Sequence, residues 1–233
     1  MRPSNDRTNT LIRFSILFIL LTVGAAQSTD ITVGPAGTDY TSIQKAIDNA
    51  SPRDAIEVRD GIYRENVNIT KRLFLKGSGL TVVDASGNKS AITISADGVK
   101  LDGFIVTNSS LGSEPGINVA SNNNTITNNV VRSNKLGIWL RNAKNNSLWN
   151  NNITRNQIGI ELDLSNNNSI RDNIICHNQG NSIAIESSEC NNITRNNARL
   201  IITEYISRGR DRITSPVTQQ WTIIMASLCL IQA

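Results

Sequence analysis

Histidine, cysteine and methionine are scarce in this chain. Its 233 residues include one His, three Cys and two Met, one of them the initiator. Transition-metal sites take many of their ligands from these side chains, and the spacing of Cys176, Cys190 and Cys229 fits no zinc motif. We therefore predict no metal site and no cofactor, and we expect the cysteines to be free or buried thiols.

Apolar runs long enough to cross a bilayer are also missing, since a spanning helix needs about 20 apolar residues. The apolar stretch 14–26 follows Arg2, Arg7 and Arg13 and ends in small residues, which is the form of a secretory signal peptide. We predict that residues 1–26 are such a peptide, with an uncleaved anchor as the alternative. The mature protein would have no membrane span and would be secreted or displayed on the cell surface.

Excess positive charge is small once that segment is set aside. The formal net charge of +4 falls to +2 without the three Arg and one Asp of residues 1–26. A nucleic-acid-binding surface needs a concentrated basic patch. The composition therefore gives no support to nucleic acid as a partner.

A repeat of about 22 residues fills the middle of the chain. It contains two boxes of the form apolar-x-x-Asn and one element of the form small-Ile-x-apolar. The first box ends at Asn129, Asn151, Asn173 and Asn196, and the second ends at Asn134, Asn156 and Asn178. The third element begins at Ala91, Gly116, Gly137, Gly159 and Ala184. Several independent positions share one period, which indicates a solenoid.

Each period holds three apolar runs that are too short for helices and rich in Ile, Val and Thr, so we predict three short strands per turn. This is the arrangement of an all-β, single-stranded parallel β-helix. The Asn residues would form a structural ladder, because Asn tolerates left-handed backbone geometry and its amide can bond to the Asn of the next coil. A leucine-rich repeat is the rival, but it would need leucine-dominated runs and a helical segment.

The solenoid should have distinct ends. Thr41, Ser42, Ile43 and Gln44 have the form of a capping box, which predicts a short N-terminal helix that covers the apolar core. We assign residues 27–197 to the repeat domain. Residues 198–233 are an atypical tail, expected to be a cap, a membrane-associating end or a frame-disrupted sequence. A fragment of a larger surface protein is a further alternative.

Outward-facing side chains at the third element are the candidate site. We expect Trp139, Glu161 and Glu186 to align on successive coils, with Arg141 and Asp163 two residues further on. An aromatic ring beside stacked carboxylates suits a sugar. Carboxylates about 5 to 9 Å apart could also hydrolyse a glycosidic bond. A solvated face without function is the plain alternative.

Sequons for N-glycosylation are frequent. They occur at Asn49, Asn68, Asn88, Asn108, Asn123, Asn145, Asn152, Asn167 and Asn192. An Asn-rich and Ser-rich sequence produces some of these by chance. We expect the corner positions Asn123, Asn145 and Asn167 to face solvent and to be the favoured acceptors.

Residues 33–47 and 56–67, followed by coils of the form Asn-Asn-x-Ile, resemble the right-handed parallel β-helix proteins of the pectin-lyase-like superfamily. Within it they are most similar to the NosD-type repeat domains of archaeal and bacterial surface proteins. The resemblance covers about residues 31–197. It implies a right-handed parallel β-helix.

Function is less constrained by this resemblance, because the superfamily includes lyases, polygalacturonases, carbohydrate-binding modules, adhesins and a copper-maturation protein. The polygalacturonase motifs and a dense acidic calcium cluster are missing from the sequence, and one His gives little support to copper. We therefore predict a structural or carbohydrate-binding module whose partner is a polysaccharide or cell-envelope component. Catalysis is not favoured. A lyase or hydrolase of an acidic polysaccharide and a NosD-like periplasmic copper-maturation factor are the alternatives.

Overall fold

The computed structural model describes residues 30–110, 112–198, 201–203 and 212–214, with side chains described up to residue 198. The predicted signal peptide, residues 1–26, lies outside the described residues, as does most of the predicted tail. The described chain is an all-β parallel solenoid of about seven turns with one short helix. This is the predicted fold class.

The elements are numbered in chain order. They are β1 (Asp30–Val33), α1 (Ile43–Asn49), β2 (Ala55–Val58), β3 (Gly61–Tyr63), β4 (Val67–Ile69), β5 (Phe74–Asp84), β6 (Ile92–Ile94), β7 (Lys100–Thr107), β8 (Pro115–Val119), β9 (Thr125–Thr127), β10 (Val130–Arg132), β11 (Leu136–Arg141), β12 (Ser147–Trp149), β13 (Asn152–Thr154), β14 (Ile158–Asp163), β15 (Ser169–Arg171), β16 (Ile174–Ile175), β17 (Ile183–Glu186), β18 (Asn192–Thr194), β19 (Asn197–Ala198), β20 (Ile201–Thr203) and β21 (Arg212–Thr214).

Two parallel sheets run along the solenoid, one of 14 strands and one of 7. Each regular coil gives two strands to the larger sheet and one to the smaller sheet, as β9, β10 and β11 do. The apolar residues of the first box stack inside, fully buried. They are Ile126, Leu148, Ile170 and Ile193. The predicted first box is therefore confirmed as a core position.

Buried Asn residues join successive coils at the corners, as predicted. In the middle of one ladder, Asn151 Oδ1 accepts hydrogen bonds from the backbone N–H of Asn129 at 3.0 Å and from its Nδ2 at 3.1 Å. Asn151 Nδ2 in turn donates to the carbonyl of Ile126 at 2.9 Å. Each side chain thus satisfies backbone groups that the turn of the chain leaves without a strand partner.

Residues 120–198 contain three ladders, of which the sequence pattern predicted two. We call them the first ladder (Asn124, Asn146, Asn168 and Asn191), the second ladder (Asn129, Asn151, Asn173 and Asn196) and the third ladder (Asn134, Asn156 and Asn178). The first ladder was missed. Its members lie within runs of two or three Asn residues, so the sequence alone did not show which residue of each run points inward.

The role of left-handed geometry needs a correction. The ladder Asn residues were expected to adopt it, but the positive φ belongs to the residue directly before each one. Asn150, for example, has φ of 55° and faces solvent, while Asn151 is buried. The preceding residue reverses the chain, and the ladder residue then directs its amide along the stack.

Coils before residue 120 make the turn that corresponds to the second ladder, but they make it without a ladder. Here β5 and β7 are long strands of 11 and 8 residues that continue through the corner. Gly79 and Gly103 supply the positive φ, at 92° and 81°, and the pairing of β5 with β7 shifts between Lys76 and Thr81. Glycine is suited to both positions because it carries no Cβ.

The predicted capping helix is present as α1, with Ser42 rather than Thr41 as its N-cap. Its apolar side, Ile43, Ala46 and Ile47, is buried on the core. The next coil completes both helix ends. The Glu65 carboxylate accepts from the N–H groups of Ile43 and Gln44 at 3.1 and 3.0 Å. Lys71 Nζ donates to three carbonyls at the other end, at 2.8 to 3.1 Å.

Parallel pairing extends past residue 197, the predicted end of the repeat domain. The backbone of β20 pairs with β17 in the smaller sheet, and that of β21 pairs with β18 in the larger sheet. Among the described residues, the helix α1 has seven residues, and no candidate membrane-spanning helix is found.

Candidate carbohydrate-binding face

The outward side of the smaller sheet carries the predicted site residues. On β11 the side chains of Ile138 and Leu140 are buried. Side chains alternate along a strand, so Trp139 and Arg141 point outward. The next coil places Glu161 opposite Trp139, and Asp163 opposite Arg141. These four residues therefore lie together, as the sequence predicted.

Glu186 needs a correction. It was expected to align with Trp139 and Glu161, but Ala184 occupies that row and Glu186 lies opposite Asp163. The spacing here is 23 residues, and the fold takes Ser182, not Ala184, as the equivalent of Gly159. We use the name Trp139 face for the outward side chains of Trp139, Arg141, Glu161, Asp163 and Glu186.

Glycines beside the Trp139 face allow its strands to lie close to the third ladder. A Cβ at Gly159 would contact the Ser182 carbonyl oxygen, and it would lie 2.5 Å from Ile175 Cγ2 and 3.0 Å from Asn178 Nδ2. Gly137 has the equivalent contacts one coil earlier. The small residue of the predicted third element is therefore required by close packing between coils.

Arg141 and Trp139 form one contact unit on this face. The guanidinium carbon of Arg141 lies 5.1 Å from the centre of the Trp139 ring, within the range of a cation–π interaction. Trp139 Nε1 and the Oδ1 of Asn118, on the preceding coil in the same row, are buried without a hydrogen-bond partner among the described residues. The face thus has an unmet donor and an unmet acceptor.

The carboxyl groups of Glu161, Asp163 and Glu186 lie next to Trp139 and Arg141. Burial raises the pKa of Glu161, and the negative charges of Glu186 and Asp163 raise it further. The face therefore disfavours additional negative charge, because Arg141 is the single cation among its five members. Hydroxyl groups can donate hydrogen bonds to such carboxylates without adding charge.

A second Arg–Trp pair lies on the larger sheet. Trp149 is opposite Arg171 in the strand register, and the guanidinium carbon lies 5.0 Å from the ring centre. Arg195 pairs with Asp172 across the coils, at 2.7 Å from Nε to Oδ1. Hydrogen bonds from Arg195 and Arg171 hold the pKa of Asp172 well below its usual range. This surface is an ion-paired network without grouped carboxyls.

Metal-binding geometry is not found in the described part of the chain. Within it, no three His, Cys, Asp or Glu side chains are close enough together to hold a metal ion. His177 is exposed at a corner, next to Cys176, and the exposed Cys190 is free. Copper sites need His, Met or Cys ligands around one point, so the residues described do not fit a copper centre.

The N-terminal coils carry a depression that was not predicted from the sequence. Its volume is about 470 Å³ and it is lined by Pro35, Ala36, Arg59, Asp60 and Ser78. These residues come from irregular coils, where no repeat pattern marks which side chains converge.

Comparison with known proteins places these features in a family context. The family model for the periplasmic copper-binding protein (NosD) matches residues 44–201. A cell surface glycoprotein of Methanothermus fervidus is 35% identical over 135 residues, which are 54% of this chain and 22% of that protein. The chain therefore spans about a fifth of the length of this relative.

Solved structures with a similar fold include Escherichia coli YbhC, with a TM-score of 0.54 and 15% identity over 95% of this chain and 78% of that one. Pectin methylesterase from carrot has a TM-score of 0.53 and 12% identity, over 87% of this chain and 90% of its own. At this identity the likeness concerns the fold alone.

Proposed function

The chain belongs to the NosD family, and from this premise we propose that it is an extracytoplasmic β-helix module that binds a neutral polysaccharide on its Trp139 face. The extracytoplasmic location is supported by the periplasmic family and by the cell surface glycoprotein among its relatives. The proposed partner is a glycan of the cell envelope or its surroundings.

The observation that carries the proposal is the arrangement of the Trp139 face. An indole ring with Arg141 against it offers an apolar surface for a sugar ring, and Glu161, Asp163 and Glu186 offer hydrogen-bond acceptors on the adjoining coils. Neutral sugars are favoured over acidic ones, since a further anion would meet three carboxyls and one guanidinium.

Copper handling is not part of this proposal. The family description concerns copper, but the described residues provide no group of ligands for it. We therefore assign the family fold to this chain and derive no metal chemistry from it.

Affinity electrophoresis of the purified protein in gels that contain neutral or acidic polysaccharides tests the proposal. We expect retardation by at least one neutral polymer, and at least tenfold weaker retardation for Trp139→Ala, since tenfold corresponds to about 1.4 kcal/mol of lost contact. Trp149→Ala is the matched control because it also removes an Arg–Trp pair from an outward face. Equal weakening by both variants, or retention by acidic polymers only, would contradict the proposal.

Cleavage of a polysaccharide is a second candidate function, which the raised pKa of Glu161 favours. A carboxyl group that holds its proton at higher pH than usual can act as a general acid, with Glu186 or Asp163 as the second carboxyl. Size-exclusion chromatography of each polymer after incubation with the protein checks this. Shortening that is absent in Glu161→Gln would replace the binding proposal, and an unchanged polymer length would remove the second candidate.

A further inference from the structure

Each ladder lies at one corner of the coil, and we number the corners by their ladders. The three corners share one backbone geometry but not one residue type. The positive-φ residue is Asn128, Asn150, Asp172 and Arg195 along the second ladder, and Ser133, Arg155 and His177 along the third. Charged, polar and aromatic side chains all occupy this solvent-facing position. The fold therefore does not require Asn there.

The first corner departs from this variety. Its positive-φ position is Asn123, Asn145 and Asn167 in three successive coils, with φ of 58°, 57° and 58°, and Cys190 in the fourth, with φ of 59°. Two residues later come Thr125, Ser147 and Ser169, which pair in register on the larger sheet. The matching positions at the second corner are Val130, Asn152 and Ile174. Neither the ladder nor the strand thus requires a hydroxyl, yet each of these three coils combines an Asn with one.

These combinations are complete Asn-x-Ser/Thr sequons in which x is a buried Asn of the first ladder. Chance sequons in an Asn-rich chain should appear at all three corners. In the ladder-bearing coils of residues 120–198, three of the four first-corner positions begin a sequon and the fourth is Cys190, whereas no second-corner or third-corner position begins one. The distribution therefore points to selection for the sequon itself.

The side chains of the first corner are free to react. All three Asn residues are exposed, and no hydrogen bond of their amides is found among the described residues. The side-chain bonds near these corners are made by Asn122 and Asn166, which accept from the N–H groups of Lys144 and Glu189. Other sequons differ in this respect. Nδ2 of Asn108 donates to Asp84 at 3.1 Å, Nδ2 of Asn49 donates to the Lys45 carbonyl at 2.8 Å, and Asn152 is partly buried.

We propose that Asn123, Asn145 and Asn167 form an N-glycosylation column, in which each accepts an oligosaccharide from a lipid-linked phosphate donor. Nδ2 attacks the anomeric carbon, and the new C–N bond replaces the C–O bond to the phosphate. The lipid phosphate leaves with that bonding pair, and the amide nitrogen loses one proton. Neither oxidation nor reduction is involved.

The column places its sugars in a row along one edge of the molecule. Parallel strands repeat about every 4.8 Å, so glycans on neighbouring coils lie side by side. Asn145 follows Arg141 by four residues, which puts the row beside the Trp139 face and not on it. The column and the binding proposal are therefore independent.

Glycopeptide mass spectrometry of the protein, purified from cells that export and N-glycosylate proteins, tests the column. We expect glycan on Asn123, Asn145 and Asn167. Trypsin leaves Asn145 and Asn152 in one peptide, residues 145–155, so the fragmentation must retain the glycan to assign it. A column without glycan, while another glycoprotein from the same cells is modified, overturns the proposal.

Variants that remove only the hydroxyl provide the control. The triple change Thr125→Ala, Ser147→Ala and Ser169→Ala keeps the corner Asn residues and should abolish glycan at all three sites. The matched change Thr154→Ala with Thr194→Ala breaks the two strand sequons and should leave the column glycans in place. Loss of glycan mass in the second variant and not in the first would overturn the assignment.

Discussion

Coils on the two sides of residue 120 turn their corners by different means. After it, buried Asn residues repeat the same hydrogen bonds in every coil, as around Asn151. Before it, β5 and β7 run through the second corner as continuous strands, and the two ends of α1 are held by hydrogen bonds from Glu65 and Lys71. The coils after residue 120, which we call the regular coils, are stabilised by the same Asn hydrogen bonds in each turn. The coils before it, the early coils, are stabilised by contacts that differ from one turn to the next.

This difference predicts how many turns of the solenoid a single substitution affects. A ladder residue contacts the coil on each side, so its loss affects at least two turns of the solenoid. A contact such as that of Glu65 affects one element. Three substitutions test the contrast, and a fourth tests the charge on the Trp139 face of the regular coils.

Asn151→Ala should have the largest effect. It removes the acceptor of the Asn129 N–H and the donor to the Ile126 carbonyl, and both groups are left unsatisfied in the interior. We expect a loss of about 2–4 kcal/mol in the free energy of unfolding, measured by urea titration. Asn152→Ala is the control, because Asn152 Oδ1 has no hydrogen-bond partner among the described residues, and it should stay within about 0.5 kcal/mol of the wild type.

Gly159→Ala should be next, at about 1–3 kcal/mol, because the added Cβ meets a backbone carbonyl and Ile175 in a packed interior. Urea unfolding measures it. Gly112→Ala is the matched change at a glycine whose nearest neighbour, Ser110 Oγ, is 3.4 Å from the added carbon. Equal effects at the two glycines would show that packing between regular coils is looser than described.

Glu65→Ala should cost about 1–2 kcal/mol, since the N-terminal N–H groups of α1 lose their carboxylate. The effect should be local. Hydrogen exchange should show lost protection in α1 and unchanged protection in β12 and β15. Exposure of the regular coils in this variant would remove the distinction between the two regions.

Glu161→Gln should have the smallest effect and the opposite sign. The pKa of Glu161 is raised above its ordinary value of 4.5 in the folded state, so the ionised group destabilises the fold at neutral pH. The variant should be more stable than the wild type at pH 7, and the gain should vanish as the pH falls below 4.5. Urea midpoints at both pH values measure this. A gain that is independent of pH would show that packing, not charge, is responsible.

The core of the regular coils could be read from the sequence because one physical constraint fixes each of its positions. The first box must be apolar to fill the interior, and the second and third ladders must be Asn to bond along the stack. The error at Glu186 came from matching a local pattern alone. Had the 23-residue spacing of Asn173 and Asn196 been applied to this strand, Ser182 and Ala184 would have been placed correctly.

The early coils could not be read in the same detail. Glu65 reaches α1 from the following coil, and Lys71 reaches the other helix end across more than 20 residues. No period connects these partners, because each contact occurs once. The composition of the Trp139 face was predicted residue by residue, but the contact between Arg141 and Trp139 required the strand pleat and the side-chain conformations.

The directional hydrogen bonding of the ladders also sets how the molecule would respond to force. Each coil is hydrogen-bonded to the coils directly beside it, so a pull on one end of the chain should break the hydrogen bonds of the outermost turn first. The turns should therefore release singly, each freeing 22 or 23 residues, or roughly 75 Å of extended chain. Under tension the solenoid should therefore lengthen in steps of nearly equal size.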